Sequence, residues 1–401
     1  MFNSLKFKVI LFGFIFTFFS SFGQSYFLGL FNSSIRDALS ITHGQFGSIY
    51  ASATLCSSLL LIWVGKKIDD VNIFKFAFFV TILLSFACFF FSRITSVFLL
   101  FIGIFLMRFS GQGMMSHTAS TTISRYFTKT RGRALSISWF GLSSAEFIMP
   151  VLMVYLLTII DWQNLWIIFS ITVLIILPIA SFLLIKNLNL DSREANDENK
   201  KEVEIKQWKR REVIKDYRFY IISSNMLAMP WIFTGFAVFQ SFVQTSKGWG
   251  PYVIAQSFMS YSIFSVLTLF LSGFLIDKYS SRKLLIYMNI PLLLSVIVLF
   301  FFDTPVTAFV FLGLVGISNG FANILGSSTW AELYGVKYLG SIKALTTALM
   351  VFATAFGTAL FGYLIDIGFT VGDIAVVSGT YIFISLILLF FVRKKLNPVI
   401  I

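Results

Sequence analysis

Charge is what this chain has least of. Asp, Glu, Lys and Arg together make up 12% of its 401 residues, about half of the roughly 25% usual in soluble domains. That scarcity excludes an ordinary soluble globular protein. Cysteine is nearly absent as well: Cys56 and Cys88 both lie in apolar stretches, with no partner at metal-ligand spacing. A disulfide framework and a structural zinc site are therefore not expected. The two histidines, His43 and His117, begin neither a His-x-x-x-x-Asp nor a His-Glu-x-x-His pattern, and no Gly-x-x-x-x-Gly-Lys-Ser/Thr phosphate loop occurs. The usual membrane enzymes and ATP-driven pumps are thus not the expected class, and no cofactor is expected.

What remains is apolar. Hydrophobic residues are 57% of the chain, 50 of its residues are Phe, and the Phe residues are spread through every apolar run as packing and lipid-facing bulk. Twelve runs poor in charge cover 9–35, 44–65, 76–92, 94–124, 134–160, 162–185, 219–246, 248–276, 284–302, 304–331, 344–365 and 374–392. Most reach the length a helix needs to cross roughly 30 Å of hydrocarbon, about 20 residues. Without the alternating pattern of a barrel strand, they predict helices. The fold class is therefore all-α, a multi-pass integral membrane protein. The first run is too long for a signal-peptide core and reads as a retained helix.

The net charge of +13 is explained by topology instead of nucleic acid. Lys66, Lys67 and Lys75, then Arg125, Lys129, Arg131 and Arg133, then Lys278, Arg282 and Lys283, then Lys337 and Lys343 fall in alternate gaps between the runs. The intervening gaps hold only Arg36, Arg93 and Lys247. Cations stay on the cytoplasmic side of short loops, so both termini are expected there and the protein is expected in the cell (inner) membrane.

A repeat divides the chain. Gly65, Asp69 and Lys75 recur as Gly273, Asp277 and Lys283, 208 residues later (273 minus 65). The same offset relates Ser120 to Ser328, Tyr126 to Tyr334 and Gly132 to Gly340. Two six-helix halves, 1–186 and 217–401, are expected on either side of a polar cytoplasmic linker, 187–216. Such repeats are the plan of secondary transporters, with substrate bound near the bilayer midplane.

The two loop motifs, the six-plus-six runs and the central linker resemble the major facilitator superfamily over essentially the whole chain. That resemblance implies twelve helices in two six-helix bundles and alternating access to one site. It also implies a gate motif of Gly65, Asp69, Lys75, Gly273, Asp277, Lys278, Arg282 and Lys283, joined by Arg131 and Arg133. The first copy has Asp70 where the family has a cation, so an asymmetric pair of latches is expected. A narrower resemblance lies in Arg125-Tyr126-Phe127 followed by Arg131-Gly132-Arg133-Ala134, which is similar to the link between helices four and five in the monocarboxylate and oxalate/formate branch. Two departures weigh against a simple transfer of substrate. Phe22-Gly23-Gln24-Ser25 stands where that branch has an acidic-glycine signature, and its Asp/Arg pair on helix eight is missing.

Ionisable residues inside the membrane point to function, because each is costly there. Arg108 is 11 residues into the fourth run counted from Val97, a depth of about 16 Å at 1.5 Å per residue. Glu146 is 12 residues into the fifth from Ala134, about 18 Å from the other side. Arg108-Phe109-Ser110-Gly111-Gln112-Gly113 also resembles the family's fourth-helix Arg-x-x-Gln-Gly pattern, displaced by one position. Two readings stand for this pair. Arg108 alone in a cavity would clamp a carboxylate in bidentate fashion. Paired with Glu146, it would form a static or proton-linked switch. Further cavity candidates on helices one, four, seven and ten are Gln24, Tyr26, Gln112, His117, Asn225, Gln240, Asn319 and Asn323, each equally able to bond a neighbouring helix.

The function expected is secondary transport of a small organic anion, monocarboxylate-like and proton-coupled. The protein is expected to be a monomer, its partners being substrate, proton and lipid. The alternatives are efflux or antiport of drugs or other metabolites, and uptake of a neutral solute such as a sugar. Against drug antiport, 141–150 lacks the Gly-Pro-x-x-Gly-Gly run of that type.

Overall fold

The computed structural model describes residues 4–127, 130–186 and 206–398, without the side chains of Ser4, Asp69, Arg131, Asp277 and Ser327. Among the described residues, twelve helices are long and apolar enough to cross a membrane. In the first half they are α1 (Leu5–Gly29), α2 (His43–Ile68), α3 (Ile73–Phe91), α4 (Val97–Tyr126), α5 (Gly132–Leu156) and α6 (Trp162–Ile185). In the second they are α7 (Tyr217–Val238), α8 (Val253–Ile276), α9 (Ser281–Phe301), α10 (Pro305–Tyr334), α11 (Leu339–Asp366) and α12 (Val371–Lys395). Large apolar side chains such as Trp63, Phe274 and Phe391 stay exposed, as a lipid-facing surface requires.

The chain divides into two compact units, Met1–Asn199 and Lys200–Ile401. Within the first, α1 packs on α4, α5 and α6, α2 on α4, and α3 on α6. Within the second, α7 packs on α11 and α12, α8 on α10, and α9 on α12. Shifting each helix number by six turns α1–α5, α2–α4 and α3–α6 into α7–α11, α8–α10 and α9–α12. The duplication read from scattered identities is thus present in the packing.

Helix contacts in lipid rely on close packing and on hydrogen bonds between small polar residues. In the first unit Ser85 and Ser170 exchange bonds across α3 and α6, each hydroxyl donating to the other's carbonyl at 2.9 and 2.8 Å. In the second, Asn225 donates to Ser385 Oγ at 3.4 Å, Asn289 donates to the Asn225 carbonyl, and Tyr381 donates to Ser224 O at 2.8 Å. Asn225 therefore sits fully buried in a knot tying α7, α9 and α12.

The first membrane helix is not continuous. Its α-helix ends at Ser20, Ser21–Gly23 form a 3₁₀ turn, and Gln24 is extended (φ −80°, ψ 151°) before helix resumes at Ser25. An aromatic cluster holds this break in place: Phe22 stacks on Phe169 at 4.9 Å, and Phe27 meets Trp166 edge-on at 5.8 Å. The Phe residues read as bulk thus shape the one irregular segment of α1.

The end of the expected linker is structured. Residues 206–209 precede a short helix, Arg210–Val213, whose Val213 is fully buried in the second unit's core. Trp208 N donates to Tyr334 O at 2.9 Å, and Tyr334 donates to Asp216 at 3.1 Å. Residues 187–205 lie outside the described residues.

Candidate functional site

The break in α1 faces a second irregularity. In α4, Arg108–Met115 is a π-helical segment flanked by α-helix on both sides. Such insertions re-aim side chains and recur at functional sites. The two segments touch backbone to backbone, since a Cβ on Gly111 would stand 2.6 Å from Gly23 N and 2.8 Å from Gly23 Cα. Glycine at both positions is what permits this approach.

Unwinding α1 frees a carbonyl. Phe27 N bonds to Gln24 O at 3.2 Å, leaving Gly23 O without its helical partner. Arg108 takes that role: its Nη1 donates to Gly23 O at 3.1 Å and to Ser25 Oγ at 3.2 Å. The guanidinium lies over the Tyr50 ring at 5.4 Å, and the Tyr50 hydroxyl donates to Ser25 Oγ at 3.0 Å. Arg108 is 3% exposed. Its Nε is buried without an acceptor, and no described residue accepts from Nη2. No described carboxylate pairs with it. The edge left open, Nε with Nη2, is one of the guanidinium's forks for gripping a carboxylate with two parallel bonds.

Glu146 on α5 is 8% exposed and makes no ion pair or hydrogen bond among the described residues. Tyr26 is buried in the short helix that resumes at Ser25. Of the two readings for Arg108 and Glu146, the geometry has them unpaired. Gln24 and Gln112 are half-buried in the two irregular segments themselves.

His117 stands elsewhere. Its Nε2 lies 3.0 Å from Gly65 O, and Arg125 Nη1 donates to Ile68 O at 3.1 Å. Both residues tie α4 to the 3₁₀ turn Gly65–Asp69, so His117 belongs with the first repeated loop motif and not with Arg108.

The two copies of the repeated loop motif differ in backbone. The first unwinds at Gly65, while around Gly273 α-helix continues to Tyr279 and only then turns at Ser280 (φ 70°). Asp70 pairs with Lys67 at 3.8 Å on the exposed surface, and Lys75 N joins Phe74 N in bonding Asn72. In the second copy Lys278 lies over Tyr279, Arg282 reaches Leu396 O at 3.2 Å and Asn397 Oδ1 at 3.0 Å, and Lys283 is exposed, as is Arg133. The side chains of Asp69, Asp277 and Arg131 lie outside the described residues.

One residue that contacts the second motif carries no signal in the sequence. Glu332, in the last turn of α10, accepts from Ser281 N at 2.8 Å and Arg282 N at 3.3 Å, capping the helix Ser281–Met288. It follows the apolar run and so counts as a loop charge in any hydropathy reading. The pattern Gly316-Ile317-Ser318-Asn319-Gly320 spells a hydrolase nucleophile motif. It lies inside α10, however, and buried Ser318 donates to Met288 O at 2.7 Å.

The second unit holds a cavity of about 200 Å³ lined by Ser223, Met226, Asn319, Asn323, Trp330 and Thr346, among others. Asn319 donates to Ser265 Oγ at 2.9 Å, while Asn323 is exposed. Gln240 lines a separate, smaller aromatic pocket and donates to Ala237 O at 3.0 Å.

The family model described as Major Facilitator Superfamily matches residues 13–259 and again 221–400. Among solved structures, the chain is similar to a bacterial homologue of the human lysosomal transporter Spinster, inward-facing and unoccupied, at 13% identity and a TM-score of 0.76, covering 99% of this chain and 98% of that one. The occupied form of that homologue aligns at 13% identity and a TM-score of 0.71, covering 98% and 97%. The nucleoside transporter NupG aligns at 16% identity and a TM-score of 0.70, covering 98% of each chain. Among curated proteins none matches significantly.

Proposed function

We infer the function from a plain premise: the chain belongs to the Major Facilitator Superfamily, and it is a membrane transporter, not an enzyme. We propose that it carries a small organic anion, monocarboxylate-like, by alternating access and with proton coupling. It would act as a monomer in the cell (inner) membrane with both termini cytoplasmic. The observation that carries this reading is the open Nε–Nη2 edge of Arg108, buried at the break of α1 with no carboxylate beside it among the described residues. A guanidinium kept from water and left half unpaired favours a ligand that brings its own negative charge. The likeness of 125–134 to the helix four-to-five link of the monocarboxylate branch supports the same class.

Glu146 is the proposed proton carrier. A carboxyl withdrawn from water with no cation beside it is charged only at high cost, which suits it to binding and releasing a proton. In this reading the motifs at 65–75 and 273–283 form the gate: Asp69 and Asp277 latch it, His117 and Arg125 brace the first copy, and Glu332 braces the second. A second reading, a neutral solute such as a sugar or a nucleoside of the kind NupG carries, is favoured by the uncharged cavity with Asn319 and Asn323.

Uptake into proteoliposomes by Arg108→Gln tests the proposal. The variant is expected to insert normally and lose saturable carboxylate uptake. Undiminished uptake would overturn the anion site, and uptake of neutral solutes alone by the native protein would favour the second reading.

A further inference from the structure

Many serines inside these helices dispose of their hydroxyl hydrogens locally. Ser20, Ser57, Ser58, Ser92 and Ser110 each donate to a carbonyl three or four residues back, at 2.6 to 2.8 Å. This is how a hydroxyl is satisfied in lipid. Ser25 does not. It stands just past the break, where its helix begins and the carbonyl four residues back, Ser21 O, is bonded to Gln24 N at 2.9 Å.

Its oxygen is fully used nonetheless. Ser25 Oγ accepts from Arg108 Nη1 at 3.2 Å and from Tyr50 Oη at 3.0 Å. A hydroxyl oxygen has two lone pairs and one hydrogen, so both accepting positions are filled. The hydrogen must then point along the remaining tetrahedral direction, and no described residue accepts it.

We propose that Ser25 O–H is a third donor to the transported anion, beside the Arg108 Nε–Nη2 edge, and that Tyr50 is the positioning residue that aims it. This rests on the reading of Arg108 as an anion site. The chemistry matches a carboxylate, whose two oxygens take the guanidinium fork and still offer further lone pairs to a hydroxyl. Tyr50 acts twice: its ring underlies the guanidinium at 5.4 Å, and its hydroxyl occupies the Ser25 lone pair that would otherwise let the serine rotate. Three donors converging on one ligand reward an anion more than a neutral solute, because bonds to a charged acceptor are the stronger ones, so Ser25 contributes to selecting charge.

The test uses the full-length protein in proteoliposomes, with labelled acetate, lactate, benzoate and succinate as probes. Ser25→Ala is expected to raise the half-saturation concentration about tenfold, more than it lowers the maximal rate. Ser25→Thr, which restores a hydroxyl, should recover most of the loss. Tyr50→Phe should raise half-saturation about threefold in the native background and not at all in the Ser25→Ala background, since it acts through Ser25. Unchanged half-saturation in Ser25→Ala, or a full Tyr50→Phe effect without Ser25, overturns the proposal. If Ser25→Ala reduces the folded yield, Tyr50→Phe carries the test alone, because it keeps the acceptor Arg108 needs; wild-type half-saturation then overturns it. The two levels fail differently. Undiminished carboxylate uptake in Arg108→Gln, or none of the four anions transported by the native protein, overturns the anion site itself. Loss in Arg108→Gln with wild-type behaviour in Ser25→Ala overturns only the role of Ser25.

Discussion

Arg108→Lys separates charge from geometry at the proposed site. The arginine spends Nη1 on Gly23 O and Ser25 Oγ, at 3.1 and 3.2 Å, and keeps Nε and Nη2 for the ligand. A lysine ammonium keeps the positive charge and one or two of those protein contacts, but it is a point charge without a planar fork. Two charge-assisted bonds to the anion, each worth about 1.5–3 kcal/mol, would become at best one. The expected loss of about 1.5–3 kcal/mol corresponds to a rise of about 10- to 150-fold in half-saturation for carboxylates. Arg108→Gln loses both bonds and the charge, so its loss should exceed a hundredfold. Either change strands an acceptor in the break of α1, so the folded fraction is followed by size-exclusion chromatography alongside initial uptake rates. Well-folded Arg108→Lys protein with wild-type half-saturation for every carboxylate tested would refute the bidentate geometry. A wild-type Arg108→Gln would refute the site.

Three further outcomes follow from other parts of the molecule. Gly111→Ala should cost about 1–3 kcal/mol through overpacking, because the new methyl meets Gly23 backbone at 2.6 Å and neither segment is a flexible side chain; a melting curve matching the native protein's would contradict the close approach. Glu146→Gln should retain carboxylate exchange at equal concentrations but lose accumulation driven by a pH gradient, and full gradient-driven accumulation would remove Glu146 from the coupling role. Glu332→Gln should weaken the Ser281–Met288 cap by about 1 kcal/mol and slow turnover with little change in half-saturation; a pure half-saturation effect would place Glu332 at the substrate instead of the gate.

The twelve spans were legible because bilayer thickness and backbone hydrogen bonding leave a chain this apolar little other choice. Arg108 and Glu146 were legible for a related reason, standing out as ionisable residues at mid-depth in apolar runs. Their relation was not, since both a pair and an isolated arginine fit the same depths. The break of α1 has no proline to announce it; Gly23 and its polar neighbours hinted at it, but only packing against Gly111 explains it. Ser25 and Tyr50 matter through a hydrogen bond between residues 25 apart in sequence, which no periodicity encodes. His117 was visible as a rare histidine, while its partner is a backbone carbonyl 52 residues away. Backbone groups carry no signature in composition. The inequality of the two repeated loop motifs was visible at Asp70, and the structure adds a difference in the backbone: a 3₁₀ turn at the first copy and continuous helix through Tyr279 at the second.

The most direct measurement is initial uptake by purified native protein in proteoliposomes, with and without an inward proton gradient, across monocarboxylates, dicarboxylates, amino acids and sugars. Saturable uptake of at least one small carboxylate, accelerated by the gradient, is the predicted result. Uptake confined to neutral sugars and indifferent to the gradient would contradict the account.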